Sequence, residues 1–318
     1  MNYFITGGAG FIGSSMADVL AEDTANNVVV YDNMSTGYEE FLFGLREKKN
    51  VKIIYGDILN NRMLNEAMAD CEFVFHFAAN ADVRFGLQHP RKDLEQNTIA
   101  THNVLEAMRL NRISKVAFSS TGSVYGEATV IPTPEDCPFP IQTSLYGASK
   151  LAGESLITSY CEGFGFTAYI FRFVSILGER YTHGHIFDFY KQLIKNPYEL
   201  KVLGNGKQRK SYLYIKDCIS AMLTIISKVQ GGSNIFNLGT DEYCEVNNSI
   251  EWICEYLGLE PKLIYSGGDR GWVGDNPFIF LDCSKLKNLG WNAKNTIKDS
   301  VVKTVQFIEK NTWVYERR

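Results

Sequence analysis

The chain has 318 residues, of which 45% are hydrophobic and 21% charged, and this composition predicts a globular protein of one large or two smaller domains. The net charge of −4 provides no basic surface, so we expect neither nucleic acid nor an anionic membrane as a partner. No apolar run reaches the ~20 residues of a membrane-spanning helix, and a strand predicted from residue 2 onward leads us to expect no signal peptide. Seven scattered cysteines without C-x-x-C spacing indicate reduced thiols and a cytoplasmic location.

The chain begins with a short apolar strand, Asn2–Thr6, which leads into a glycine-rich turn. Gly7, Gly10 and Gly13 follow the strand at G-x-x-G-x-x-G spacing, and an apolar helix pattern starts at Phe11. In this context a glycine turn binds a pyrophosphate, because the missing side chains allow close approach and the helix N-terminus offers N–H groups. The turn therefore predicts a dinucleotide site; the alternative is a structural turn that binds nothing.

A second predicted strand, Val28–Tyr31, ends at an acidic residue. Asp32 lies 19 residues after Gly13. A carboxylate at about this distance accepts hydrogen bonds from the adenosine ribose and repels a 2′-phosphate, which favours NAD over NADP. The alternative is that Asp32 only caps the turn that follows it.

Strands and helices alternate over the first 120 residues. Further strands are predicted at Lys52–Tyr55, Cys71–Phe77 and Val116–Ser120, with a long helix over Arg91–Leu110. Short apolar strands without polar alternation are buried on both faces, which is typical of a parallel sheet. We therefore predict an α/β fold with a doubly wound parallel Rossmann sheet whose ligands bind at the carboxyl ends of the strands.

After about residue 175 the pattern becomes more mixed. The elements predicted there are three helices and one strand, at Phe187–Lys195, Asp217–Lys228, Val246–Leu257 and Asn234–Leu238. We interpret this part as a smaller, interleaved C-terminal substrate-binding lobe that also returns segments to the main sheet. The predicted division is a NAD-binding Rossmann domain over 1–175 and a mainly substrate-binding lobe over 176–318.

A tyrosine and a lysine stand one turn apart at the start of a helix predicted to run to about Gly163. Tyr146 and Lys150 are at positions i and i+4 and therefore share a helix face. A tyrosine acts as a base near neutrality only if its pKa of ~10 falls, and a nearby ammonium favours the phenolate. Thr121 follows the fifth strand, where its hydroxyl can hold a substrate hydroxyl. Alone, the pair is more typical of a surface helix than of a catalytic site, but the three elements together predict a catalytic site.

Taken together, the motifs resemble the extended short-chain dehydrogenases/reductases, and within them the NAD-dependent nucleotide-sugar epimerase and dehydratase family. The resemblance covers essentially the whole chain. It is carried by Gly7–Gly13, Asp32–Gly37, Gly56–Ile58, His76–Ala79, Asn97, Ser119–Gly126, Tyr146–Lys150, Gly204–Asp217 and Asp282–Trp291.

The resemblance implies an enzyme that oxidises and epimerises C4 of a nucleotide-diphosphate sugar, most commonly a UDP-hexose, with NAD as cofactor. It also implies a homodimer formed through the helices Arg91–Leu110 and Tyr146–Gly163. The implied catalytic residues are Thr121, which holds the sugar oxygen, Tyr146, which takes the proton, and Lys150, which binds the ribose and lowers the pKa of the tyrosine. The cofactor-binding residues that it implies are Gly7, Gly10, Phe11, Ile12, Gly13, Asp32, Asn33, Ser35, Thr36, Gly37, Asp57, Ile58, Phe77, Ala78, Ala79, Asn97, Ser119, Tyr146, Lys150 and Phe173.

Positions at which the chain departs from the family pattern limit which reaction we expect. The Asp-Glu pair that 4,6-dehydratases carry after the catalytic threonine is replaced by Gly122 and Ser123, so we expect no dehydration. Ser175 replaces an amide that in the family commonly contacts the sugar diphosphate. The family also has an R-D-F segment whose arginine supplies a positive charge, and here that charge can come from Arg209 or Lys210. The predicted substrate-binding residues are Arg84, Ser123, Ser175, His185, Arg209, Lys210 and Arg270.

Two histidines, His183 and His185, lie close to Asp188 but lack a third well-placed ligand, so we expect no metal. In the family this loop lies beside the sugar, which makes His185 a predicted substrate contact. Two other functions remain open. One is a 4-dehydrogenase with net oxidation, and the other is an inactive NAD-sensing or scaffold protein, which the intact Thr121, Tyr146 and Lys150 disfavour.

Overall fold

The computed structural model describes residues 1–80, 88–138, 141–270 and 278–316. The strands within these ranges are β1 Asn2–Thr6, β2 Asn27–Asp32, β3 Val51–Tyr55, β4 Phe73–His76, β5 Lys115–Thr121, β6 Thr167–Phe173, β7 Ser175–Leu177, β8 Glu199–Val202, β9 Arg209–Lys210, β10 Tyr212–Tyr214, β11 Ser233–Leu238, β12 Cys244–Glu245, β13 Lys262–Tyr265 and β14 Phe278–Ile279. None of the helices in the described ranges is long and apolar enough to cross a membrane.

The α-helices in the same ranges are α1 Phe11–Leu20, α2 Phe43–Arg46, α3 Asn61–Ala67, α4 Pro90–Asp93, α5 Ala100–Leu110, α6 Leu145–Phe164, α7 His185–Lys195, α8 Ile215–Lys228, α9 Val246–Leu257, α10 Ser284–Lys287, α11 Ile297–Lys310 and α12 Trp313–Glu316. Two 3₁₀-helices, Glu39–Leu42 and Gly122–Tyr125, and one π-helix, Leu94–Ile99, complete them.

Seven strands form the main sheet in the order β11-β6-β5-β4-β1-β2-β3. The pairs β5-β4, β4-β1, β1-β2 and β2-β3 are parallel, and Thr6 at the end of β1 is in register with Tyr31 on β2 and His76 on β4. The strand order reverses beside β1, which is the arrangement that creates a ligand crevice at the carboxyl ends of a doubly wound sheet. The predicted α/β fold class is confirmed.

The sheet forms because the side chains of its strands are apolar and become buried on both faces of the sheet. Phe4, Ile5 and Val30 are completely buried, and the core continues through the helices α3, α5 and α6 that pack against it. A parallel strand needs this two-sided burial, since helices cover both faces of the sheet.

The chain divides into two compact units built from interleaved segments. The first unit consists of Met1–Gly126, Pro138–Arg172 and Met222–Phe236, and it contains most of the main sheet. The second consists of Glu127–Cys137, Phe173–Ala221 and Asn237–Arg318. Within the second unit β7 pairs with β10, β8 pairs with β13, and β9 lies between β12 and β14.

Two predicted helices differ from the observed ones. The polar stretch after Gly37 predicts a helix through Lys49, but it forms only the 3₁₀-helix Glu39–Leu42 and the short α2. The helix predicted over Arg91–Leu110 contains the π-helix Leu94–Ile99 between α4 and α5. A π-helical turn holds an extra residue and often marks a functional position, and here it contains Asn97.

Candidate active site

The glycine turn after β1 is as tight as its spacing predicts. Gly7 has φ of +66°, and a Cβ atom there would lie 2.6 Å from the backbone nitrogen of Ala78. A Cβ on Gly13 would lie 2.2 Å from the carbonyl oxygen of Gly7, so a side chain is excluded at both positions. A Cβ on Gly10 would approach only that same carbonyl, at 3.1 Å, which leaves the surface over Gly10 open.

The helix α1 begins at this turn. Gly10 is its N-cap residue and has no side chain that could cap the helix, and the first turn, which includes Phe11 and Ile12, has no acidic residue. The turn and the positive end of the helix dipole together have the geometry of an anion site.

Asp32, at the end of β2, is bound to the glycine turn. Its Oδ2 accepts a hydrogen bond from the backbone nitrogen of Ala9 at 3.0 Å, and its Oδ1 accepts one from Met34 at 2.8 Å. Burial raises the pKa of the carboxyl, and these two hydrogen bonds oppose the increase. The loop that carries Ser35, Thr36 and Gly37 is thereby held against the turn, so both interpretations of Asp32, as cap and as ribose acceptor, fit its position.

The other predicted cofactor residues at this edge are brought together by hydrogen bonds between strand ends. Asn33 donates from Nδ2 to Oδ2 of Asp57 at 3.0 Å, which links the ends of β2 and β3. Ala78 donates its backbone N–H to Oγ1 of Thr6 at 3.2 Å, and Phe77 donates its own to the carbonyl of Thr6. The carboxyl ends of β3 and β4 lead into further predicted cofactor residues, which are Ile58 after β3 and Phe77, Ala78 and Ala79 after β4.

Asn97 lies inside the π-helix and is buried. Its Nδ2 donates to Oγ of Ser149 at 2.9 Å, and its Oδ1 accepts from the backbone nitrogen of Asn80 at 2.8 Å. The side chain thus connects the end of β4 to α6. The predicted contact of Asn97 with the cofactor stays a prediction.

The three predicted catalytic residues lie at the end of β5 and on the first turns of α6. Thr121 ends β5, its side chain lies close enough to Tyr146 to lower the pKa of the phenol, and its Oγ1 accepts from the backbone nitrogen of Ser123 at 3.1 Å. Lys150 is buried one turn after Tyr146, and its Nζ donates to the carbonyl oxygen of Ser119 at 2.7 Å. Its ammonium also lies 4.5 Å from the centre of the Phe118 ring.

Burial is the largest influence on the pKa values of Tyr146 and Lys150. It raises the pKa of Tyr146 to about 12, against the smaller lowering effect of the Thr121 hydrogen bond, and the charge of Asp93 raises it further. Burial lowers the pKa of Lys150 to about 7, while the charge of Glu154 opposes that decrease. The expected effect of Lys150 on the pKa of Tyr146 stays a prediction, because the causes that act on the phenol here are burial, Thr121 and Asp93.

A buried ion pair behind Lys150 is a feature that the sequence analysis missed. Arg172 on β6 and Glu154 on α6 are both buried, and Nη2 of Arg172 lies 2.7 Å from Oε2 of Glu154. The signal was present, because Arg172 interrupts the apolar run Tyr169–Leu177. A charge in such a run is stable only with a buried partner of opposite sign.

Several predicted substrate residues belong to the second unit. His185 begins α7, and its ring lies 3.1 Å from the hydroxyl of Tyr212. Burial lowers the pKa of His185 to about 3, and the charge of Lys210 lowers it further, so this imidazole is neutral and close to Lys210. Ser175, at the start of β7, is exposed.

Arg209 and Lys210 are neighbours on β9, so their side chains point to opposite faces of the strand. The guanidinium of Arg209 is exposed and stacks on Phe278, with its carbon 4.0 Å from the ring centre. Arg270 is also exposed, and its Nη2 donates to Oε1 of Glu127 at 2.6 Å. Arg84 lies outside the described residues.

The residues present fit a dinucleotide cofactor. The glycine turn at Gly10, the N-terminus of α1 and the carboxylate of Asp32 supply the groups that pyrophosphate and ribose require. Phe173, a further predicted cofactor residue, ends β6 at the same edge of the sheet. Within the described ranges no group of three or more His, Cys, Asp or Glu side chains is arranged to hold a metal ion. All seven cysteines are described, and all are free.

Fold and site together define a dinucleotide-binding α/β protein with a Thr-Tyr-Lys site. Comparison with known proteins assigns the family. The family model described as "NAD dependent epimerase/dehydratase family" matches residues 3–239. A UDP-glucose 4-epimerase of Corynebacterium glutamicum is 30% identical over 320 residues, covering 95% of this chain and 94% of that protein.

Solved structures agree with the family match. The crystal structure of the Thermotoga maritima UDP-glucose 4-epimerase with UDP-glucose has a TM-score of 0.87 and 30% identity, covering 98% of this chain and 100% of that one. A Bacillus cereus UDP-glucuronic acid 4-epimerase, solved with UDP-glucuronic acid and NAD, has a TM-score of 0.90 and 26% identity at the same coverage. The chain belongs to the NAD-dependent epimerase/dehydratase family, and it is an enzyme of the extended short-chain dehydrogenase/reductase type.

Proposed function

We propose that the protein is a NAD-dependent 4-epimerase of a UDP-sugar that acts through a transient 4-keto sugar. The observation that carries the proposal is the grouping of Thr121 at the end of β5 with Tyr146 on the first turn of α6 and with Lys150, which is buried one turn further along and donates to the carbonyl of Ser119. These groups follow β5 in the same sheet whose first strand leads into the glycine turn. Relatives and structural neighbours with the same fold are UDP-sugar 4-epimerases, which supports this choice of reaction.

The cofactor's binding groups come from the chain's first unit. The turn Gly7–Gly13 and the N-terminus of α1 would hold the pyrophosphate, and Asp32 would accept the ribose hydroxyls. NAD, when bound, supplies a hydride acceptor at the sugar carbon and a positive ring beside the phenol. Asp32 also opposes a 2′-phosphate, so we expect the purified protein to release NAD rather than NADP when denatured.

The chain's own residues move one proton. Tyr146 takes the proton of the sugar 4-hydroxyl at its phenolic oxygen, and Thr121 holds the same sugar oxygen through Oγ1. In the free protein the high pKa of Tyr146 keeps the phenol protonated at neutral pH, so the tyrosine becomes a base only when further positive charge reaches it. Lys150 supplies part of that charge and binds the ribose.

The residues after Thr121 separate epimerisation from dehydration. Elimination of water from a 4-keto sugar needs an acid and a base beside C5 and C6, and Gly122 and Ser123 provide no carboxylate. An epimerase retains its reduced cofactor and returns the hydrogen to the other face of C4. Net oxidation by a 4-dehydrogenase remains the alternative within the same chemistry, and an inactive NAD-sensing protein is the alternative in another class.

Substrate contacts come from the remaining predicted residues. We assign the diphosphate contact to Lys210 rather than Arg209, because the guanidinium of Arg209 stacks on Phe278 while Lys210 lies close to His185. The other proposed substrate contacts are His185, Ser175, Ser123, Arg84 and Arg270. When substrate binds, Arg270 would leave Glu127 and pair with the substrate phosphate instead.

The proposal extends to assembly, location and domain roles. Exposed apolar side chains on the helical segment 91–110 and at the two ends of α6, Leu145 and Phe164, support a homodimer, and seven free cysteines support a cytoplasmic location. We assign NAD binding to residues 1–175 and substrate binding mainly to residues 176–318.

The test is product analysis by proton NMR with a panel of UDP-sugars: UDP-glucose, UDP-galactose, UDP-glucuronate and the UDP-N-acetylhexosamines. We expect the C4 epimer of at least one substrate to appear, with its C4 hydrogen carried over from the substrate. In heavy water no deuterium should enter C5, and absorbance at 340 nm should not rise lastingly.

Each alternative has its own signature. A released 4-keto sugar with lasting absorbance at 340 nm would favour the dehydrogenase. A 4-keto-6-deoxy product with deuterium at C5 would overturn the argument from Gly122 and Ser123. No turnover of any panel member by protein that contains NAD would favour the inactive protein.

A further inference from the structure

The buried pair Glu154–Arg172 connects the elements that carry the catalytic residues. Glu154 stands one turn after Lys150 on α6, and its Oε1 accepts hydrogen bonds from Oγ of Ser120 on β5 and, at 3.0 Å, from Nε of Arg172 on β6. Its Oε2 accepts from Nη2 of Arg172 at 2.7 Å. One carboxylate therefore joins a helix and two neighbouring strands.

Arg172 extends this connection to the turn after Thr121. Its Nη1 donates to the hydroxyl of Tyr125 at 2.8 Å, and its guanidinium carbon lies 4.7 Å from the centre of the same ring. Tyr125 is the last residue of the 3₁₀-helix Gly122–Tyr125, which Thr121 caps. Arg172 thus holds one end of a segment whose other end carries the catalytic hydroxyl.

The same segment also fixes Lys150. Ser119, which accepts from the ammonium of Lys150 at 2.7 Å, directly precedes Ser120, which donates to Glu154. The four side chains Ser120, Tyr125, Glu154 and Arg172 are each no more than 8% exposed, so they meet the substrate only through their neighbours. A hydrogen-bonded ion pair in such surroundings holds its two side chains firmly in place, because water does not weaken the interaction.

We infer that Glu154 and Arg172 are positioning residues for catalysis: they hold the segment Ser119–Tyr125 so that Thr121 meets Tyr146, and Glu154 keeps the Lys150 ammonium charged. The inference rests on the proposed function. Glu154 on α6 acts on the charge of Lys150, and that charge in turn acts on His76 on β4. Two further charges act on their neighbours: Arg172 on β6 pairs with Glu154, and Asp93 at the end of α4 acts on Tyr146.

The main variant is Glu154→Gln, which retains the shape and the acceptor oxygen but removes the charge. We expect kcat to fall at least about tenfold with KM for the UDP-sugar nearly unchanged, since small misplacements of catalytic groups cost up to roughly 100-fold. Because a negative charge raises the pKa of a nearby ammonium, its removal should move the alkaline limb of the kcat profile to lower pH. The matched control is Glu66→Gln, which removes an exposed carboxylate that is also paired with an arginine.

A second measurement does not depend on turnover. In protein labelled with ¹³C at lysine Cε, the Lys150 signal, identified by its loss in Lys150→Met, should titrate at lower pH in Glu154→Gln than in the parent and in Glu66→Gln. If the parent turns over no panel sugar, the proposed function fails, while this titration still decides whether Glu154 controls Lys150. An unmoved titration midpoint and an unmoved alkaline limb would overturn the inference, even if kcat fell.

If Glu154→Gln does not fold, Tyr125→Phe tests the hydrogen bond from Arg172 to the hydroxyl of Tyr125. It removes one hydroxyl and retains the ring, so we expect a folded protein with kcat lowered several-fold and an unchanged alkaline limb. A kcat equal to that of the parent would show that Arg172 does not position Thr121 through this contact.

Discussion

At the scale of single residues, Tyr146 has no substitute within the described site. Its half-buried side chain lies near Thr121, and the buried ionisable groups near it are Lys150, one turn along α6, and Asp93, neither of which stands in the place of its phenolic oxygen. Tyr146→Phe should therefore retain fold and bound NAD while kcat falls at least ~100-fold, the lower end for loss of a general base. Tyr160→Phe is the control, because that hydroxyl, on the same helix, binds Glu106 instead. A Tyr146→Phe protein with near-parental kcat would contradict the catalytic assignment.

His76 makes stability depend on pH. Its ring is buried between Oγ1 of Thr6 at 2.8 Å and Oγ1 of Thr101 at 3.0 Å. Burial, and secondly the charge of Lys150, lowers the pKa of His76 to about 3. The unfolded chain therefore binds a proton that the folded chain does not, so this stabilisation is complete above about pH 6.5 and is lost as the pH falls toward 3.

His76→Gln should remove that dependence. Between pH 6 and 4 the parent should lose up to about 1.4 kcal/mol of unfolding free energy per pH unit more than the variant does. Urea unfolding at several pH values measures the difference, and exposed His102→Gln should follow the parent. Parallel curves for the parent and His76→Gln would show that His76 is not buried neutral.

At the scale of elements, the two residues of β9 have separate roles because a strand alternates its side chains. Lys210→Ala should raise KM for the UDP-sugar about tenfold or more, since a charged hydrogen bond contributes roughly 1.5–3 kcal/mol. Arg209→Ala should leave KM nearly unchanged and cost only the stacking on Phe278, about 0.5–1 kcal/mol of stability. A larger KM effect from Arg209→Ala than from Lys210→Ala would reverse the assignment.

The sequence predicts elements well where burial alone decides them. Asn2–Thr6 and Val246–Leu257 are predicted with the observed bounds, because the first is a short run that ends at a glycine turn and the second has apolar residues at helical spacing before Gly258. The π-helix around Asn97 could not be predicted, since it depends on hydrogen bonds to Asn80 and Ser149 from distant parts of the chain. The desolvation of Tyr146 could not be predicted for a similar reason: its residue type and spacing are visible in the sequence, but its surroundings in the folded chain are not.

At the scale of the whole molecule, exposed apolar side chains support a dimer. Leu94 and Ile99 in the π-helix are 51% and 42% exposed, and Phe164 at the end of α6 is 56% exposed. Light scattering at low micromolar concentration should give roughly 72 kDa, twice the 35.9 kDa of the chain. Leu94→Glu with Ile99→Glu should shift the species toward about 36 kDa, whereas Ile194→Glu on α7 should not. A parent protein that is monomeric throughout would contradict the dimer.

The order of the main sheet has a consequence for synthesis on the ribosome. The edge strand β11 is made about 60 residues after β6, the strand beside which it lies. At 5–20 residues per second this interval lasts roughly 3 to 12 seconds, during which β6 stays an open edge in the nascent chain. An open edge is a template for pairing with other chains, so the emerging protein is most prone to aggregate in this interval.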